Sequence, residues 1–155
     1  MKIPADLLRR CFEHGAQTYP EEACGVLSGP QAQPDVLDGY HPFDNKLTRL
    51  HKVDPERYPR DGTNGYHMDP LAFMKLEKSL AAENRQMRVI YHSHPDCGAY
   101  FSEEDTSQAL WEGEPRHPGL VYLVCGVKAR QPDGAILAQY NPHTKKFDVT
   151  EVSNT

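Results

Sequence analysis

Apolar positions along the chain recur with two periods, and turn residues mark where one gives way to the other. Ile3, Leu7, Leu8, Cys11 and Phe12 fall at helical spacing, which predicts a helix over residues 4–17 with one apolar stripe. Pro4 suits the first helical position, and Gly15 with Thr18-Tyr19-Pro20 should end the helix. Residues 24–29, Cys-Gly-Val-Leu-Ser-Gly, are short, apolar and bounded by Gly-Pro, so they predict a strand, with 36–41 as its neighbour. Residues 54–65 hold Pro, Gly, Asp and Arg with no apolar period, and they predict a long loop without structure of its own.

Asp69 before Pro70 has the form of a helix start, an N-cap followed by proline at the first position. Leu71, Met74, Leu76 and Leu80 would carry that helix's apolar side as far as about Asn84. Residues 88–92 predict a strand, 102–113 a third helix, and 120–127, the most apolar stretch, a central strand. Residues 135–140 and 146–152 predict a closing hairpin around Asn141-Pro142-His143. Strands interleaved with three helices make this an α/β chain.

Length and composition narrow the class. With 155 residues, 38% hydrophobic and 25% charged, the sequence predicts a single folded domain over 1–155. The net charge of −5 and the absence of any basic cluster beyond Arg9-Arg10 and Lys145-Lys146 argue against a nucleic-acid partner. No apolar run approaches the roughly 20 residues of a membrane helix, and Met1-Lys2-Ile3-Pro4-Ala5-Asp6 is too polar for a secretion signal. The four cysteines, Cys11, Cys24, Cys97 and Cys125, form no C-x-x-C pair. Reduced thiols and a cytoplasmic location are expected, with Cys24 and Cys125 as small buried hydrophobes. Cys97 is expected to be an ordinary loop residue, the other possibility being a thiol close to the chemistry.

The chemistry concentrates in Tyr91-His92-Ser93-His94-Pro95 and in Ser102-Glu103-Glu104-Asp105. Side chains two apart on a strand face the same way, so His92 and His94 form a pair of imidazoles. Ser102 and Asp105 have the spacing of a capping box, which places Asp105 in the first turn of a helix. Each piece has an ordinary alternative: histidines hydrogen-bonded without metal, a serine that only caps, an aspartate that only complements the helix dipole. Together, two histidines and one carboxylate make a three-ligand set, which on zinc leaves a fourth position for water.

The joint spacing resembles the JAMM, or MPN-plus, metalloprotease motif: an upstream Glu, then H-x-H, ten residues, and Asp, with Ser three positions before it. Here His92, His94, Ser102 and Asp105 occupy those places, and Glu21-Glu22-Ala23-Cys24-Gly25 matches the upstream segment. The family's Glu-x-Cys-Gly spacing selects Glu22, with Glu21 as the alternative. The resemblance, strongest to compact prokaryotic members, covers nearly the whole chain; the 54–65 loop looks longer than in the shortest of them. It implies a mixed β-sheet flanked by helices, similar to cytidine deaminases. It implies one zinc ion on His92, His94 and Asp105, Glu22 as general base, and Ser102 as donor to the oxyanion. It further implies a peptidase acting at the C-terminal tail of a ubiquitin-like sulfur carrier of the ThiS/MoaD kind. The alternatives are an isopeptidase of deubiquitinase type and a non-catalytic protein-binding module. The H-x-E and P-C-x-x-C segments of zinc deaminases are absent, as is H-E-x-x-H.

Overall fold

The computed structural model describes residues 1–153. Its elements in chain order are α1 (Ala5–Thr18), β1 (Cys24–Pro30), β2 (Gly39–Phe43), α2 (Leu47–Val53), α3 (Pro70–Ala82), β3 (Arg85–Pro95), α4 (Glu103–Ala109), β4 (Leu110–Trp111), β5 (Glu114–Pro115), β6 (Val121–Lys128), β7 (Gln131–Asn141) and β8 (Lys146–Glu151). Six strands form one sheet in the order β2-β1-β3-β6-β7-β8, and β4 with β5 forms a separate two-stranded ribbon. The β3–β6 pair is parallel and its neighbours are antiparallel, so the sheet is mixed, as expected. Antiparallel neighbours close through short turns, whereas the parallel pair needs a crossover. That crossover carries α4 and the small ribbon.

The alternation of side chains along the strands makes two cores. On one face Leu27, Val89, Tyr91, Val121, Leu123 and Cys125 pack against Leu7, Leu8, Cys11 and Phe12 of α1. On the other, Val26, Ile90, Tyr122, Val124, Ile136 and Ala138 meet Leu80 of α3. Both β3 and β6 are covered on both faces, which accounts for their unbroken apolar runs.

Several expectations need correcting. Pro4 is the N-cap of α1 rather than its first helical residue, with its carbonyl accepting from Leu8 N–H at 3.0 Å. The second strand is shifted to Gly39–Phe43, because residues 36–38 turn back onto Gln33 and Ser28 through backbone hydrogen bonds. A fourth helix, α2, precedes the long loop; with seven residues and only Leu47 buried, it shows almost no apolar period to read. On α3 the sheet is reached by Phe73, Leu76 and Leu80, whereas Leu71 and Met74 are exposed. At about 100° per residue, Leu71 lies on the far side of the helix from Phe73. Helix α4 stops at Ala109, where Glu112 and Gly113, both at positive φ, close the β4–β5 ribbon in the manner of a primed hairpin turn. Strand β7 starts at Gln131 because Ala129 and Arg130 make another such turn at positive φ.

Cys11, Cys24 and Cys125 are buried and free, and Cys97 is free and exposed. Among the described residues no helix is long and apolar enough to cross a membrane.

Candidate metal centre

Strand register assembles the site. Cys24 of β1 lies opposite His92 of β3. The ladder continues past the end of β1: Ser93 N–H donates to the Ala23 carbonyl at 3.0 Å, and Ala23 N–H donates to Ser93 Oγ at 2.7 Å. One step further, Glu22 comes level with His94. Glu22, Cys24 and Val26 share a face of β1, and Ile90, His92 and His94 share the same face of β3. Glu21 therefore points elsewhere: its Oε1 accepts from Thr48 Oγ1 of α2. Glu22, not Glu21, is the carboxylate beside the histidines, buried at 5% exposure.

Helix α4 delivers the other acid. Ser102 is its N-cap, and the capping box is complete: Ser102 Oγ accepts from Asp105 N–H and Asp105 Oδ2 accepts from Ser102 N–H, both at 3.0 Å. The box fixes the Asp105 carboxylate in the direction of β3. Its Oδ1 is 3.2 Å from His92 Nε2 and its Oδ2 3.3 Å from His94 Nε2. The two Nε2 atoms are 3.1 Å apart. Glu22, His92 and His94 also offer donor atoms within 4.8 Å of one another.

These distances fit a tetrahedral cation. Ligands at about 2.0–2.1 Å from a tetrahedral zinc are separated by roughly 3.3–3.4 Å. The donor chemistry points the same way. His94 Nδ1 is 3.3 Å from the Gly98 carbonyl; with the ring assigned to donate there, its Nε2 is left as a bare lone pair. That lone pair and a carboxylate oxygen face each other at 3.3 Å, a repulsive contact without a cation between them. His92 stays neutral because burial lowers its pKa more than Asp105 raises it. Burial alone would raise the Asp105 carboxyl, but His92 and the backbone N–H of Ser102 outweigh it and hold the group well below the usual carboxylate range.

Glu22 behaves in the opposite way. Burial, and then the nearby Asp105 charge, push it up to about 8, opposed by Arg60. Its Oε1 has no hydrogen-bond partner among the described residues. This has a consequence for the metal-free protein. Below about pH 4.5 the carboxyl is neutral in both folded and unfolded chains and the linkage is silent. Between there and about 8 only the unfolded chain releases the proton, so stability falls as pH rises through that window. Metal-free Glu22→Gln should therefore melt higher than metal-free wild type by a margin that widens from pH 5 to pH 8. Parallel melting curves at all pH values would contradict the burial argument.

The surroundings were not legible in the sequence. Tyr66 stacks on the His92 ring at 4.7 Å, and Tyr100 meets His94 edge-on at 4.9 Å. The long loop is docked rather than loose: the Gly62 carbonyl accepts from Glu22 N–H at 2.6 Å, and Gly62 N–H donates to Thr48 Oγ1 at 2.8 Å. A Cβ on Gly62 would sit 2.2 Å from Glu21 Oε1, so any larger residue there would have to displace the end of that side chain. Cys97 lines the same cavity as Glu22, His94, Ser102 and Asp105, with its thiol pKa raised mainly by burial.

The fold has a known counterpart. The chain belongs to the prokaryotic homologues of the JAB domain, whose sequence profile matches residues 4–138. It is 30% identical over 107 residues to a CysO-cysteine peptidase of Mycobacterium tuberculosis, covering 69% of this chain and 64% of that protein. It is 30% identical over 127 residues to a probable TtuB-protein conjugate cleaving protease of Thermus thermophilus, covering 82% and 72%. The solution structure of a Desulfitobacterium hafniense protein shares the fold, with a TM-score of 0.66 at 22% identity over 96% of this chain and 88% of the other. The chain thus spans a little under two thirds of the length of the mycobacterial relative.

Proposed function

We propose that this chain, as one catalytic domain, is a zinc metallopeptidase of the JAMM type that hydrolyses an amide bond at the C-terminal tail of a ubiquitin-like sulfur carrier. The observation that carries the reading is the convergence of His92, His94 and Asp105 at 3.1–3.3 Å beside a buried carboxyl with no partner for its Oε1, Glu22. A structural metal site is closed by protein ligands and has no use for a free base; this arrangement supplies three ligands and a base. The names of the mycobacterial and Thermus relatives support the substrate class, and the second of them favours conjugated proteins as an alternative within it.

His92, His94 and Asp105 would hold the zinc. When bound, zinc supplies Lewis acidity and lowers the pKa of a water from about 15.7 to roughly 7. Glu22 takes a proton from the attacking water and passes it to the leaving nitrogen, a role for the ionised carboxylate, which a bound dication beside it would favour. The C–N bond breaks; the acyl carbon gains the water oxygen, and the amine leaves with the proton from Glu22. Ser102 Oγ already accepts from Asp105 N–H, and its own proton remains to be donated to the carbonyl oxygen as charge develops there.

Two substitutions separate the two duties of Ser102. Ser102→Ala should cost about 1 kcal/mol of stability through loss of the cap and about 10²–10³ in kcat. Ser102→Gly should keep most of the stability, since glycine caps almost as well, and lose kcat equally. A Gly variant with near-normal kcat would assign Ser102 to capping alone.

The direct test uses a ThiS-type sulfur carrier extended beyond its Gly-Gly terminus, followed by mass spectrometry. The expected result is cleavage after Gly-Gly that a chelator abolishes and zinc restores. One zinc per chain with no cleavage would leave the metal centre standing and overturn the peptidase.

A further inference from the structure

Beside the metal cluster lies a cavity of about 100 Å³ lined by Glu22, His94, Ser102 and Asp105, and also by Arg60 and Asn64 of the long loop. Arg60 is the cation there. Its Nη1 donates to the Asn64 carbonyl at 3.1 Å, and its Nε stands 3.8 Å from Glu104 Oε2, too far for a hydrogen bond. The two form a loose, part-exposed ion pair, and Gln108 Nε2 donates to the other oxygen of that carboxylate, Oε1, at 3.1 Å. Among the described residues only Nη1 of the Arg60 guanidinium makes a hydrogen bond, which leaves donors of the fork for a ligand. The loop is pinned two residues away by the bond from Glu22 N–H to the Gly62 carbonyl, so Arg60 is held in register with Glu22. Its charge acts on Glu22 directly, opposing the effect of burial.

The chemistry of the leaving group gives that cation a task. Glu22 delivers its proton to the leaving nitrogen, so that nitrogen must lie against Glu22. If the leaving group is an α-amino acid, its carboxyl carbon is two bonds from the nitrogen and reaches whatever stands beside Glu22. If it is a lysine side chain, a four-carbon apolar stem occupies the same place and offers nothing to a guanidinium. We infer that Arg60 binds the free α-carboxylate of a single amino acid at the C-terminal end of the substrate tail, making this chain an exopeptidase in preference to an isopeptidase. The inference rests on the peptidase reading above and adds to it the residue that selects the leaving group. The planar guanidinium suits a carboxylate through two parallel N–H donors. The cavity, with room for a few water molecules, is on the scale of one small amino acid.

The test compares three substrates on the zinc-loaded full chain. They are a ThiS-type carrier ending in Gly-Gly-Cys as the free acid, the same protein ending in the C-terminal amide, and the Gly-Gly carrier joined to a lysine by an isopeptide bond. Wild type should cleave the acid with kcat/KM about 10- to 100-fold above the amide, the span of one charge-assisted hydrogen bond. Arg60→Gln should bring the acid down to the level of the amide, erasing the preference, whatever common loss both substrates show from removing its charge beside Glu22. Arg60→Lys should recover part of the preference. Binding of acid and amide to zinc-loaded Glu22→Gln, followed by fluorescence anisotropy without turnover, should show the same preference, and adding Arg60→Gln should erase it. Equal cleavage of acid and amide by wild type overturns the inference. So does an Arg60→Gln loss that is equal on both, the mark of a residue that merely holds the loop. Faster cleavage of the isopeptide overturns it while leaving the hydrolase intact, and cleavage of none of the three overturns both.

Discussion

Glu22→Gln is expected to abolish hydrolysis while leaving the metal in place. The substitution preserves shape and removes the carboxylate that the proposed mechanism uses to take a proton from water and return it to the leaving amine. General base catalysis of this kind contributes about 10²–10⁴-fold, and the loss should appear in kcat with KM little changed. The tight set of donor atoms, at 3.1–3.3 Å, is His92, His94 and Asp105; Glu22 belongs only to the looser group within 4.8 Å. Metal content measured by mass spectrometry should therefore stay near one ion per chain. A Gln variant active to within a few fold would remove Glu22 from the mechanism, and a metal-free Gln variant would make it a ligand.

The complementary expectation concerns the ligands. His94→Ala and Asp105→Asn should each lower metal affinity by more than the roughly 10–100-fold that loss of an outer hydrogen-bond partner costs, and activity should fall to background. Asn at 105 can still accept from Ser102 N–H, so the capping box survives and the effect on folding is small. Bound metal also stabilises the folded chain, by about 4 kcal/mol at a free concentration a thousand times the dissociation constant. Zinc should therefore raise the Tm of wild type and of Glu22→Gln, and leave His94→Ala and Asp105→Asn nearly unmoved. A zinc-dependent Tm shift of full size in either ligand variant would require a different ligand set.

The convergence of His92, His94 and Asp105 could be read from the chain because its parts are local. The spacing of His92 and His94 on one strand face follows from the two-residue period. The Ser102/Asp105 capping box is a short-range device that the structure reproduces bond for bond. The choice between Glu21 and Glu22 is different in kind. A resemblance in spacing favoured Glu22, but the physical reason lies in the antiparallel register that sets Cys24 against His92. That register sends the side chain of residue 22 to the histidine face, while Glu21 bonds to Thr48. Leu71 and Met74 mark a limit of pattern reading: both lie away from the face of α3 that carries Phe73, Leu76 and Leu80 to the sheet, and both are exposed.

By itself, the sequence determined what depends on neighbours a few residues apart. That includes the periodicity of α1, β1, β3 and β6, the Asp69-Pro70 helix start, the pairing of His92 with His94 on one strand face and the cap that orients Asp105. Tertiary structure decided what depends on distant segments meeting. Arg60 and Gly62 are nearly forty residues from Glu22 in the chain, and nothing in the composition of the loop says that its backbone will take a hydrogen bond from Glu22 N–H. Tyr66 on His92, Tyr100 on His94 and Arg60 in the cavity wall are likewise products of packing. Short-range patterns report local backbone preference, whereas the walls of a site are set by which surfaces become buried together, and that emerges only once the whole chain has folded.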